Sequence, residues 1–282
     1  MIQVKKIAFS YTDRPFIENM SFSVDKGEIF GFLGPSGAGK STLQKILTGL
    51  ILNYKGSARV GDTEVKDRNN DFYEKIGVDF EFPSLYDKLT AKQNLEFFGS
   101  LYKKPLLNAD KLLQAVGLHN DAEKKVSAYS KGMKSRLNFI KALLHNPDIL
   151  FLDEPTSGLD PANARSMKNM ILDQKARGKT IILTTHNMQD ATELCDRVAF
   201  IADGRIRALD SPKNLIMRKG ATRMIYTYME NGAFCSSECD LSDTGQDKKL
   251  SLLIKNGELL TVHSCEPNLS DIFMEVTGRE LL

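Results

Sequence analysis

No uninterrupted apolar run in this sequence approaches the roughly 18–20 residues needed to cross a bilayer. Any membrane role must therefore pass through another chain. No leading signal peptide is recognisable, and only four cysteines (Cys195, Cys235, Cys239 and Cys265) occur in 282 residues. That usage fits a reducing cytosolic setting better than a disulfide framework. Charge of one sign is not in excess either. With 38 basic and 36 acidic residues, net +2, no strong field points to a membrane surface or to nucleic acid, and no nucleic-acid partner is expected. Internal repeats, coiled-coil patterns and low-complexity tracts are missing. What remains is an ordinary globular composition, enough for one large domain or for a domain of about 200 residues with an appendage.

Against that plain background one stretch stands out. Gly34, Pro35, Ser36, Gly37, Ala38, Gly39, Lys40 and Ser41 match the G-x-x-x-x-G-K-[ST] phosphate loop at every specified position. The stretch lies between an apolar, strand-like run (Ile29 to Leu33) and a helical segment (Lys40 to Leu47), which is the context the motif needs. Its glycines let consecutive N–H groups turn into one concavity, and the helix adds the positive end of its dipole. Lys40 is expected to reach the β- and γ-phosphates and the Ser41 hydroxyl to ligate Mg²⁺, with Thr42 counted among the nucleotide contacts.

Around the loop, the first third reads as strands: Gln3 to Phe9, Phe16 to Val24, Glu28 to Leu33, and shorter β-like pieces up to Phe80. A helical middle follows. Thr90 and Gln93 spell a capping box ahead of an apolar stripe of Leu95, Phe98 and Leu101 or Tyr102. Leu112, Leu113 and Val116 mark a second short helix, stopped by Gly117. After Pro147 the pattern alternates between strand and helix: Ile149 to Leu152, Pro161 to Arg177, Thr180 to Leu183, Met188 to Cys195. Alternation of this kind implies parallel strands with helical crossovers. Composition shifts near residue 215. Beyond it come a polar stretch from Ser236 to Lys249, an Asn256-Gly257 hairpin between Leu250–Ile254 and Glu258–Val262, and a short amphipathic helix (Leu269, Ile272, Phe273, Val276) ended by Gly278. Cys235, Cys239, His263 and Cys265 could be assembled on paper into a zinc site, but their spacing matches no common zinc module and no metal is expected there.

A phosphate loop alone does not separate kinases, GTPases and motor ATPases. Ile149 to Asp153 is an apolar strand ending in a carboxylate, where the second Mg²⁺ ligand of such enzymes belongs. Glu154 follows directly. Because side chains alternate along a strand, the two carboxylates are expected to divide the work, Asp153 serving the metal and Glu154 polarising the attacking water. His186, at the end of the next strand, is placed to contact the γ-phosphate. A small-molecule kinase would explain Gly34 to Ser41 but leaves Leu152–Pro161 and His186 without a role.

With these residues in place the chain resembles the ATP-binding subunit of an ATP-binding cassette (ABC) transporter over residues 1 to about 215, above all in LDEPTSGLDP (Leu152 to Pro161). The resemblance implies an α/β phosphate-loop cassette (1–215) with an antiparallel β portion, a helical signature subdomain (about 84–145) and a small α+β extension (216–282). It makes Asp153 the Walker B carboxylate, Glu154 the catalytic one, Ser157 to Asp160 the D-loop, His186 the switch histidine and Tyr11 the aromatic that stacks on adenine. The family signature, usually LSGGQ, corresponds to Tyr129, Ser130, Lys131, Gly132 and Met133; only Ser130 and Gly132 keep the usual identity. Ser130 can still cap the following helix and present its N-terminus to an ATP held by the opposite subunit. The usual Q-loop glutamine is replaced by Glu81, which can ligate Mg²⁺ but adds negative charge.

The same resemblance implies ATP and Mg²⁺ as ligands, a second copy in a head-to-tail sandwich, and a separate transmembrane permease that meets the region from Phe82 to about Phe98. The chain would then sit on the inner face of the cell membrane through that permease. The segments Pro267 to Phe273 and Thr277 to Leu281 are similar to the tail of daunorubicin-resistance-type export cassettes. Two other readings stay open on sequence alone. One is a soluble ABC ATPase of DNA repair or ribosomes, which usually brings a coiled coil or a second cassette in the same chain. The other is a nucleotide-sensing module that hydrolyses weakly.

Overall fold

Burial alternates along β1 (Ile2–Phe9) and β2 (Ile17–Val24), as a sheet with one face on the core requires. The computed structural model describes residues 1–82, 84–221 and 223–278; Arg279, Glu280 and Leu281 of the tail motif lie outside the described residues. β1 and β2 pair antiparallel with Ile2 opposite Val24. β3 (Ile29–Leu33), buried along its whole length, runs into the phosphate loop and α1 (Lys40–Leu47). β4 (Lys55–Val60) and β5 (Thr63–Glu64) complete a four-stranded antiparallel sheet in the order β2-β1-β4-β5. A single turn, α2 (Asn70–Tyr73), leads into β6 (Ile76–Asp79).

The helical middle has the local signals expected of it. Thr90 and Gln93 form a reciprocal capping box at the start of α3 (Ala91–Gly99). α4 (Ala109–Ala115) stops ahead of Gly117, whose φ of +67° suits glycine. Ser130 caps α5 (Lys131–Leu143) by accepting a hydrogen bond from the Met133 amide.

Strand and helix then alternate through β7 (Ile149–Asp153), α6 (Pro161–Ala176), β8 (Thr180–Thr185), α7 (Met188–Leu194) and β9 (Arg197–Ala202), closing with β10 (Arg205–Asp210). The resulting six-stranded sheet has the order β10-β9-β3-β8-β7-β6. Only its edge strand β10 is antiparallel. One apolar core joins this sheet to the antiparallel one, with the rings of Phe22, Phe30 and Phe32 in mutual contact. Parallel order has a functional consequence. The carboxyl ends of β3, β8, β7 and β6 open side by side at one edge of the sheet, the position where open α/β sheets hold ligands.

A second compact unit begins at Ser211, earlier than the shift in composition near residue 215. It contains α8 (Pro212–Lys219), β11 (Arg223–Glu230), β12 (Ala233–Asp240), α9 (Lys248–Asn256), β13 (Leu259–Cys265) and α10 (Leu269–Thr277), with α8 packed on α10. Its antiparallel sheet has the order β12-β11-β13, and Met224, Tyr226 and Tyr228 share a small core with Leu250 and Leu253.

The expected Asn256-Gly257 hairpin is not formed. Leu250 to Ile254 belongs to α9, which Asp247 caps, and Gly257 at φ +72° ends that helix before β13 starts. The three-residue spacing of buried Leu250 and Leu253 is a helical period, and it prevails over the turn propensity of Asn-Gly. The strand register separates the residues that could have been grouped around zinc. Cys235 and Cys239 lie opposite Tyr228 and Met224, whereas His263 and Cys265 lie opposite Ile225 and Arg223, on the other face of the sheet. Among the described residues no helix is long and apolar enough to cross a membrane.

Candidate active site

The phosphate loop is shaped by glycines that no other residue could replace without strain. Gly37 and Gly39 sit at φ +78° and +108°. A Cβ on Gly34 would lie 2.2 Å from the Ile201 carbonyl oxygen of neighbouring β9. Ser36, Gly37, Gly39, Lys40, Ser41 and Thr42 line a cavity of about 270 Å³ together with Glu81, Glu154 and His186. Pro35 and Ala38 close the loop, the Ala38 amide donating to the Pro35 carbonyl over 3.2 Å. Lys40 is buried and donates to the carbonyls of Gly34 at 2.6 Å and Pro35 at 3.1 Å. Burial lowers the pKa of its ammonium, while the carboxylates of Glu154, Asp153 and Glu81 pull it back up. The Lys40 ammonium thus lies within electrostatic reach of three carboxylates.

The two carboxylates after β7 separate by backbone geometry and not by the alternation of a strand. β7 ends at Asp153, which is 6% exposed and accepts hydrogen bonds from Ser41 Oγ at 3.3 Å and from Thr184 Oγ1. Glu154 then adopts a left-handed φ of +51°, a conformation that costs a non-glycine residue of order 1 kcal/mol. This turn directs its side chain into the cavity. Its Oε1 accepts from His186 Nδ1 at 2.9 Å and its Oε2 from Thr185 Oγ1 at 3.2 Å. Ser41 and Asp153, in hydrogen-bond contact, and Glu81 on the cavity lining carry oxygen donors of the hard kind that Mg²⁺ prefers.

Thr184 and Thr185 were not singled out from the sequence. The available signal was two hydroxyl side chains closing a buried strand, where polar groups need partners. Phe16 was missed as well. It lines the cavity and its ring lies 3.8 Å from where a Gly39 Cβ would be, while Tyr11 packs edge-on against both Phe9 and Phe16. Tyr11 is half-exposed and its hydroxyl meets Thr42 Oγ1 at 2.9 Å. The aromatic corner beside the loop is therefore built from Phe16 and Tyr11 together.

The sequence pattern described as ABC transporter matches residues 17–157, half of the chain. The chain belongs to the ABC transporter family of ATP-binding subunits. Over 284 aligned residues it is 49% identical to a fluoroquinolones export ATP-binding protein of Mycobacterium tuberculosis, covering 100% of this chain and 94% of that protein. It is 32% identical to the linearmycin resistance ATP-binding protein LnrL of Bacillus subtilis over 309 residues, covering 100% and 99%. A solved structure described as the ATP binding subunit of an ABC transporter superposes with a TM-score of 0.70 at 29% identity, covering 78% of this chain and 93% of that one.

In this ABC cassette the remaining expected site residues do not line the phosphate-loop cavity. They gather around the start of α5 and α6. A Cβ on Gly132 would meet the Asn163 side chain at 3.3 Å, and Lys131 reaches over Gly158. Asp160 caps α6 through the amides of Ala162 and Asn163, and a bond from the Asn163 side chain holds its carboxyl below the usual range. Ser130, Gly132 and Asp160 thus share one surface, while Lys40, Ser41, Glu81, Glu154 and His186 share another.

Proposed function

We propose that this chain hydrolyses MgATP to drive the export of drugs or other amphipathic compounds through a separate permease. It is an ABC-transporter ATPase, and the observation that supports its chemistry best is Glu154, held by His186 and Thr185 in the cavity that Lys40 also lines. The names of its relatives, fluoroquinolones export and linearmycin resistance, favour export of this cargo class.

In this reading the loop amides and Lys40 offset the charge of the β- and γ-phosphates, and Phe16 and Tyr11 offer an aromatic corner to the base. Ser41 and Asp153, with Glu81, would hold Mg²⁺, which when bound neutralises charge on the β- and γ-phosphate oxygens. Glu154 takes a proton from a water as the water oxygen bonds to the γ-phosphorus, and the β–γ bridging oxygen departs with ADP. His186 keeps the carboxylate aimed at that water.

Two copies would complete each other's sites. The surface bearing Ser130, Gly132 and Asp160 lies apart from the cavity of its own chain, and the capped N-terminus of α5 is suited to a γ-phosphate held by a second copy. A groove of about 250 Å³, lined by Leu50, Phe80, Ser84, Phe98, Tyr102 and Lys141 among others, is suited to receive the permease on the cytoplasmic side of the membrane.

The test is mass spectrometry of what co-purifies with a tagged Glu154→Gln variant from detergent-solubilised membranes in MgATP, in a host that carries the neighbouring genes. A near-stoichiometric polytopic membrane protein is the expected result. Ribosomes, DNA-repair proteins or no partner at all, with ATP binding intact, would overturn the export reading.

A further inference from the structure

Among the buried carboxylates to which the mechanism above gives no role, one lies beside the segment that carries Glu154. Asp190, in the first turn of α7, is 5% exposed and is not among the residues that line the cavity. Its Oδ2 accepts a hydrogen bond of 2.6 Å from Thr156 Oγ1, and its Oδ1 lies 3.2 Å from Lys168 Nζ on α6. Lys168 also pairs with Glu193, and these two carboxylates raise the pKa of its ammonium.

The placement of these groups closes a ring. Thr156 stands two residues after Glu154, in the segment that joins β7 to α6 and ends at the cap Asp160. That segment is held internally by two tight turns, Ser157 N to Glu154 O at 3.0 Å and Leu159 N to Thr156 O at 3.2 Å. α7 grips it at two points, through His186 just ahead of the helix on Glu154 and through Asp190 on Thr156. Lys168 then ties α6, the far end of the segment, back to Asp190. Burial of a carboxylate is costly without partners, and the side-chain partners of Asp190, Thr156 and Lys168, belong to this segment and to the helix it feeds.

We propose that Asp190 is a positioning residue for ATP hydrolysis: through Thr156 and Lys168 it sets the course of the segment that carries Glu154 at one end and Asp160 at the other. Glu154 sits in a left-handed conformation with unfavourable backbone energy, so its direction depends on what holds the residues after it. The assignment rests on the catalytic role of Glu154 given above.

The test is steady-state hydrolysis by the full chain with Thr156→Val, Thr156→Ser, Asp190→Asn and the Thr156→Val/Asp190→Asn pair, with KM for MgATP and melting temperature measured on the same preparations. Thr156→Val is near-isosteric and removes only the hydroxyl. It should lower kcat by between about tenfold and a hundredfold, the range expected for slight misplacement of a reacting group, with KM unchanged. Thr156→Ser should restore most of the rate, and the double variant should be no slower than the slower single one, because both changes break one linkage. Equal losses in Thr156→Val and Thr156→Ser, multiplying effects in the double variant, or a lowered melting temperature with unchanged kcat would each overturn the proposal. Wild-type turnover in Glu154→Gln would instead refute the role of Glu154, so the two failures are distinguishable.

Discussion

His186 Nδ1 lies 2.9 Å from Glu154 Oε1, a hydrogen bond that ties the ring to the carboxylate. Both side chains line the phosphate-loop cavity. In the proposed mechanism Glu154 is the base of the pair and His186 its support, so the two side chains should have separable phenotypes. Glu154→Gln should reduce phosphate release at least about a hundredfold while ATP binding persists and a nucleotide-bound dimer accumulates. His186→Ala should lower kcat by between about ten- and a thousandfold, leaving MgATP affinity closer to normal. Phosphate-release assays alongside equilibrium nucleotide binding check both, and unimpaired turnover in Glu154→Gln would refute its assignment.

Glu81 shares the cavity wall with Glu154. An amide oxygen can take the place of one carboxylate oxygen towards a cation and removes a negative charge from beside the phosphates. Glu81→Gln should therefore retain ATP hydrolysis. Complete loss of activity in that variant would show that the site is organised around the acid.

Asp79 gives a pH signature of stability. It closes β6 in full burial, bonded to Asn138 of α5, and desolvation raises its pKa to about 7 against the attraction of Lys141. The folded state thus retains a proton that the unfolded chain releases near its ordinary value of 3.8. Stability contributed by this group falls as pH rises from about 4 to about 7 and is level beyond that. The melting temperature of Asp79→Asn, measured relative to the wild type, should climb across the same window. A difference independent of pH would contradict the assignment.

Much of this architecture was legible in the residues because the signals are local. The phosphate loop needs its glycines and Lys40 within one turn, the capping box of Thr90 and Gln93 spans four residues, and the buried strand before Asp153 announces itself as an apolar run. What stayed hidden depends on neighbours distant in sequence. Nothing local says that Glu154 takes a left-handed turn, that Phe16 shares the aromatic corner with Tyr11, or that Thr156 meets Asp190, 34 positions away. The α9 segment failed for a related reason. Asn-Gly is a strong local turn signal, but burial of Leu250 and Leu253 against Met224, Tyr226 and Tyr228 decides the conformation.

The most direct test of the whole account is the rate of phosphate release from MgATP by the purified wild-type chain over a range of protein concentrations. Sites completed by a second copy predict turnover that rises more than linearly with protein at low concentration. Strictly linear turnover from a chain shown to be monomeric, or no phosphate release at any concentration, would contradict it.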